Sequence, residues 1–351
     1  MNKFIRVTVL IFFTGLIAYG VYYLRQEPTS KIQVKLVDKN ITPKKFERVF
    51  RPVQLEKTSL GDSITEHVIN PARLTFKNGD LFILDVSEKK VKQFDKNGQL
   101  VNTIGNGTGR GPGEMIHAND FLVQGKKIWI IDSSLMRISR FDLNGNFEDS
   151  FSVDYHPISI TGYGDNLFIK TLAQEYVIKR LDYEGNKLGE FSNLLNEQIQ
   201  DPLAVTGRIA SYKSSVIFVP TIASLVYFYR ADTLHRVARR ADGLSFKSSI
   251  DKSDEDRKMY MAPEAKFHAY VVRVVDDNLY ILMFERADEV KQGQPTVKRR
   301  FVDVYDAESG KYRYSFKIPV TVGSGMALNN NLFVTSDGNN RVISYQISGL
   351  Q

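Results

Sequence analysis

One unit recurs six times along most of this 351-residue chain, and that repeat constrains the fold more than any other feature. The first copy reads ARLTF-KNGD-LFILD-VSEKK-VKQFD-KNG-QLVNTIG over residues 72–105. The second reads NDFLV-QGKK-IWIID-SSLMR-ISRFD-LNG-NFEDSF over residues 119–151. Each holds an apolar segment, a turn, a strand ending in Asp85 or Asp132, a second turn, a strand ending in Phe-Asp, an Asn-Gly turn and a last strand. Alternating apolar residues give a strand one buried face, and Asn-Gly supplies the positive φ of a tight hairpin.

Four weaker copies follow. Their second strands start at Leu167, Val216, Leu279 and Leu332, after Leu81 and Ile128 in the first two. The turn glycine is lost in the fourth copy, and the sixth ends without an outer strand. Four short antiparallel strands in each 40–60 residues is the signature of a propeller blade. The expected fold is therefore all-β, a six-bladed β-propeller over residues 45–351. Segments ahead of the first copy, such as Lys45–Phe50 or Ile64–Ile69, are expected to supply the missing outer strand and close the ring, leaving no long exposed edge.

The pattern LFILD, VKQFD and NG, followed by GTGRGPGE ending at Glu114, resembles the NHL-type, TolB-like six-bladed propellers of bacterial envelope proteins. The match is close over 70–151 and fades beyond 191. Met115 stands where that family usually carries an aromatic. The resemblance implies the fold far more firmly than a function, because propellers host binding modules, scaffolds and enzymes alike.

From Val7 to Leu24 runs an 18-residue stretch without charge, bracketed by Arg6 and Arg25. As a helix it spans about 27 Å, close to the hydrocarbon thickness of a bilayer. Tyr19, Tyr22 and Tyr23 suit an interfacial belt. Residues 1–27 are thus expected to be a single-pass membrane anchor, with 28–44 a spacer and the propeller outside the cytoplasmic membrane. The competing expectation is a cleaved signal peptide, with Ala18-Tyr19-Gly20 as the processing site.

Composition narrows the function classes. There is no cysteine, which excludes disulfides, thiolate metal sites and a cysteine nucleophile. The net charge is +7, of which residues 1–27 contribute +2. That is too little, and too scattered, for a nucleic-acid binder. Lys298-Arg299-Arg300 and Arg236/Arg239/Arg240 read as solvated strand edges. The Gly105–Glu114 loop lacks the Gly-Lys-Ser/Thr of a phosphate loop and no helix follows it, so it reads as a crossover between blades.

Two sets of residues are candidates for chemistry or binding. His67, His117, His156 and His268 each precede an inner strand, whose starting ends share one face, so their imidazoles are candidates for holding a divalent metal on the axis. No other cofactor is expected. The long excursion 239–268, with Met259, Tyr260 and Phe267 near its end, is a candidate surface for a protein, peptide or glycan, as is the irregular stretch 285–300. Asp85 and Asp132 read as structural turn caps. The leading expectation is a non-enzymatic binding or scaffold module. The alternative is a metal-dependent lyase or hydrolase acting at the axial channel.

Overall fold

The computed structural model describes residues 47–172, 175–194, 205–241, 267–291, 294–319 and 325–350. They form an all-β six-bladed propeller of six four-stranded antiparallel sheets. Blade 1 comprises β2 (Pro71–Lys77), β3 (Asp80–Asp85), β4 (Lys90–Phe94) and β5 (Leu100–Ile104). Blade 2 comprises β6 (Ala118–Gln124), β7 (Lys127–Asp132), β8 (Arg137–Asp142) and β9 (Phe147–Ser152). Blade 3 runs through β10 (Pro157–Tyr163), β11 (Asn166–Thr171), β12 (Ile178–Leu181) and β13 (Lys187–Phe191). Blade 4 runs through β14 (Gly207–Tyr212), β15 (Ser215–Pro220), β16 (Leu225–Arg230) and β17 (Thr233–Arg239). Blade 5 is built from β18 (Phe267–Val275), β19 (Asn278–Lys291), β20 (Gln294–Asp306) and β21 (Tyr312–Lys317).

Blade 6 takes β22 (Met326–Leu328), β23 (Leu332–Ser336) and β24 (Val342–Ser348) from the end of the chain. Its outer strand is β1 (Gln54–Thr58), which pairs antiparallel with β24. The ring is thus closed by a segment lying between the two expected ones. Ile64 lies instead in a short helix, α1 (Leu60–Thr65), where it is fully buried among Leu74, Leu81, Val334 and Val342. Segment 49–51 runs along the outside of blade 5, where Ser315 donates to Val49 O and Arg51 donates to Ser315 O, each 2.8 Å.

Each interface between neighbouring blades holds one apolar cluster, as alternation demands of sheets packed face to face. Fully buried Trp129, for instance, packs with Ile131, Leu167 and Ile169 between blades 2 and 3. The outer turns follow the expected chemistry. Asp95 accepts from the backbone N–H of Asn97 and Gln99, both 2.9 Å, with Gly98 at φ +80°. In blade 4, which lacks the glycine, Ala231 and Asp232 adopt left-handed φ of +47° and +64° instead.

Among the described residues no helix is long and apolar enough to cross a membrane. The anchor expected over residues 7–24, the spacer 28–44, and Met259 and Tyr260 lie outside the described residues.

Candidate functional site

The first strands of the six blades touch one another in ring order, and so wall the axial channel. In blades 1, 2, 3 and 5 this inner strand carries a bulge near its start, where it slips one residue against its partner. The extra residues are Ala72, Asn119, Ile158 and Tyr270. Bulges re-aim side chains and are frequent beside functional sites. Here they recur at one level and mark one mouth of the channel.

Around that mouth the inner strands present charge. Arg73 follows the bulge in β2, Asp120 follows it in β6, and Arg208 occupies the corresponding level of β14. Arg273 lies further along β18. Asp120 is 7% exposed; its Oδ2 accepts from the Ser159 hydroxyl at 2.7 Å and the Ile160 N–H at 3.3 Å, and its Oδ1 from the Phe121 N–H at 3.0 Å. Arg208 Nη1 donates to Ile158 O at 2.8 Å. Arg273 reaches past the three-residue β22 to blade 1, donating to Leu74 O from Nη2 at 2.6 Å and from Nε at 3.0 Å. Burial pushes the Arg273 guanidinium down to about 10, with Asp120 opposing and Arg73 adding to the fall.

Blade 5 differs from the other blades. Its two middle strands run 14 and 13 residues, where the corresponding strands elsewhere run four to seven. The stretch 285–300 is therefore a β-hairpin and not an irregular loop. Residues 286–291 carry it about 20 Å beyond the last pairing with β18, at 3.4 Å per residue, on the face where the inner strands begin. At its root Glu285, 2% exposed, pairs with Arg299. On the same strands lies a stack of rings. His268 lies flat on Phe284 at 4.6 Å, Tyr270 meets Phe284 edge-on at 5.9 Å, and the Arg300 guanidinium sits 6.0 Å from the Tyr270 ring. Tyr270 is 38% exposed, an aromatic face presented at the mouth.

The four histidines are placed separately. His67, His117 and His156 are exposed, and His156 Nδ1 lies 2.9 Å from Ser133 O. His268 is fully buried under Phe284. Among the described residues no group of three or more His, Asp or Glu is arranged to hold a metal ion. Phe267 is half-buried, edge-on to Phe301 with the Arg48 guanidinium 4.8 Å from its ring.

Asp85 and Asp132 act as anchors. Asp132 accepts from Ile116, His117, Ser134 and Leu135 N–H groups at 2.6–3.1 Å, and Asp85 binds Ile69, Asn70, Ser87 and Glu88 in the same way. Each carboxylate ties the entry of the inner strand to the turn after the second strand. The Gly-rich crossover closes on itself, with Glu114 Oε2 accepting from the Gly111 N–H at 2.7 Å. A Cβ on Gly109 would lie 2.0 Å from that same oxygen, so the glycine makes room for the glutamate. Met115 is fully buried between blades 1 and 2.

Sequence reasoning missed the channel arginines and Tyr270. Their positions in alternating strands look like ordinary solvent-facing positions until closure of the ring turns that edge toward the axis.

The profile of a family described as a 6-bladed beta-propeller matches residues 29–344. No curated protein matches the chain. Among solved structures, a Bacteroides fragilis protein designated as exported is similar at 15% identity and TM-score 0.57, over 86% of this chain and 95% of its own. A DUF4221 member from Bacteroides vulgatus aligns at 11% identity and TM-score 0.56, over 86% and 98%. Virginiamycin B lyase from Staphylococcus aureus aligns at 9% identity and TM-score 0.50, over 85% and 100%. At these identities the likeness concerns the fold alone.

Proposed function

Because the chain belongs to the DUF5128 family of six-bladed β-propellers, we propose that it is a non-enzymatic binding module, receiving a protein, peptide or glycan at the hairpin-bearing mouth of the channel. The resemblance of the blade 1 and blade 2 repeats to NHL-type, TolB-like propellers supports this reading. Residues 7–24 tether it to the membrane, and the propeller stands outside the cytoplasm. The similarity to an exported Bacteroides propeller supports that location.

The observation that carries the proposal is the β19–β20 hairpin. Nothing in propeller closure needs strands of 14 and 13 residues, so the excess length calls for a role beyond the fold. It stands beside an exposed tyrosine, and such side chains on rigid scaffolds are where recognition concentrates. The test is a panel of peptides, neutral oligosaccharides and acidic oligosaccharides, presented to the full chain and to a variant with residues 287–297 replaced by a short turn. The expected result is retention of one ligand class by the full chain, lost at least tenfold in the trimmed variant and in Tyr270→Ala, with melting temperatures within a few degrees. Binding that ignores both changes would overturn the reading, as would retention of nothing on the panel.

A further inference from the structure

Three guanidiniums line the channel with little to neutralise them. Arg73 Nη1 donates to Ala72 O at 3.1 Å, while Arg273 donates to Leu74 O from Nε and Nη2 and to Val272 O from Nη1 at 2.8 Å, each bond being to a neutral carbonyl. The Ala72 and Leu74 carbonyls are two residues apart on β2, about 7 Å along the strand, so the two cations are neighbours. Arg208 contributes a third from β14. Among the described residues none of the three forms an ion pair with a carboxylate. Asp120, the acidic group on the same ring of strands, is already engaged by Ser159, Ile160 and Phe121. The Arg73 Nε is buried and, among the described residues, donates to nothing.

Drawing cations partly out of water without a paired carboxylate is costly, and a guanidinium with unused donors, as Arg73 has at Nε, is a fork shaped for an oxyanion. Resting on the channel-mouth reading above for its route of entry, we propose that Arg73, Arg208 and Arg273 form an oxyanion site. It takes a carboxylate, phosphate or sulfate group of a ligand entering beside Tyr270. The rival account is that the arginines only cap the edge carbonyls of the inner strands. The two make opposite predictions. A carbonyl cap destabilises the protein when removed, whatever the buffer. A member of an unfilled cation cluster does little harm when removed, and its loss relieves repulsion.

The experiment uses the full chain in a non-ionic detergent. Thermal unfolding is followed in chloride and after replacing chloride by phosphate, sulfate or glucuronate at fixed ionic strength and pH. The expected result is that at least one of these raises the melting temperature by several degrees over chloride, as a ligand specific to the folded state must. The ranking of the three identifies the group recognised. In Arg73→Gln and Arg273→Gln the apparent affinity falls at least tenfold, and Arg73→Gln melts no lower than wild type in chloride. Arg208→Gln provides a third variant should one of these fail to fold. No shift from any of the anions overturns the proposal, as does a shift that survives in every folded variant. A hairpin-trimmed chain that keeps the anion response but still binds its larger ligand leaves this site standing and removes the channel-mouth reading.

Discussion

Lys170 is the side chain whose protonation is most at odds with its surroundings. It lies on β11, fully buried, with its amine donating to Thr171 O and 5.6 Å from the Phe218 ring. Among the described residues no carboxylate pairs with it. Burial pushes its pKa down to about 7. The folded state therefore sheds a proton that the unfolded chain keeps up to about pH 10.4, so stability rises with pH across that window, by at most about 1.4 kcal/mol per pH unit. Lys170→Met is expected to raise the melting temperature near pH 7 and flatten its climb toward pH 10, read by melting curves at matched ionic strength. An unchanged slope would mean that the amine stays protonated in the fold. Asp306 acts in the acid range. Burial raises its pKa, but the Ser309 N–H and hydroxyl and Arg313 together outweigh that and hold it at about 2. Here the unfolded chain binds the proton first as pH falls, so this contribution is present above about pH 4 and drains away toward pH 2. Asp306→Asn should make the acid limb of the stability curve shallower; an identical limb would contradict the assignment.

Among the elements, the closing strand and the segment before it carry most of the burden of joining the chain ends. Arg48 forms a two-bond pair with Asp303, Nε to Oδ1 and Nη2 to Oδ2, each 2.8 Å. The Asp303 side chain is fully buried, and the Arg48 guanidinium also lies 4.4 Å from the Phe301 ring. Removing one partner of a buried pair costs far more than the pair itself contributes. Arg48→Ala is thus expected to lower stability by about 3 kcal/mol in denaturant titration, and Asp303→Asn added to it should restore part of the loss. A loss below about 1 kcal/mol would show the latch to be incidental. These elements also show where sequence reading runs out. The second strands were legible because runs such as Leu81–Leu84 and Ile128–Ile131 are apolar throughout, being covered on both faces. β1 was not, because QLEKT is an outer strand with mostly exposed side chains, and its apolar signal is too weak to separate it from its flanks. The hairpin 285–300 read as irregular because its charges break the alternation, and cross-strand pairs such as Glu285 with Arg299 become visible only once the register is known.

At the scale of the molecule, six copies of one unit make a ring, and the ring creates a property that no single copy holds. Inner-strand residues far apart in the chain become neighbours, as Arg273 and Leu74 do across 199 positions. This is why the fold was legible from local patterning whereas the channel was not. Position in a repeat says which strand a residue occupies, but not which residues meet across the axis. The same limit applies to the histidines. His67, His117 and His156 precede the inner strands of three different blades, whereas His268 lies inside β18, buried beneath Phe284. The account centres on the channel mouth as the place where a ligand is held. Hydrogen exchange on the full chain, with and without the most stabilising anion, tests that most directly. The predicted result is slowed exchange in residues 71–75, 118–121, 207–209 and 267–273, with the outer strands unchanged. Protection confined to the outer strands or distant turns, while these inner segments exchange as before, would contradict it.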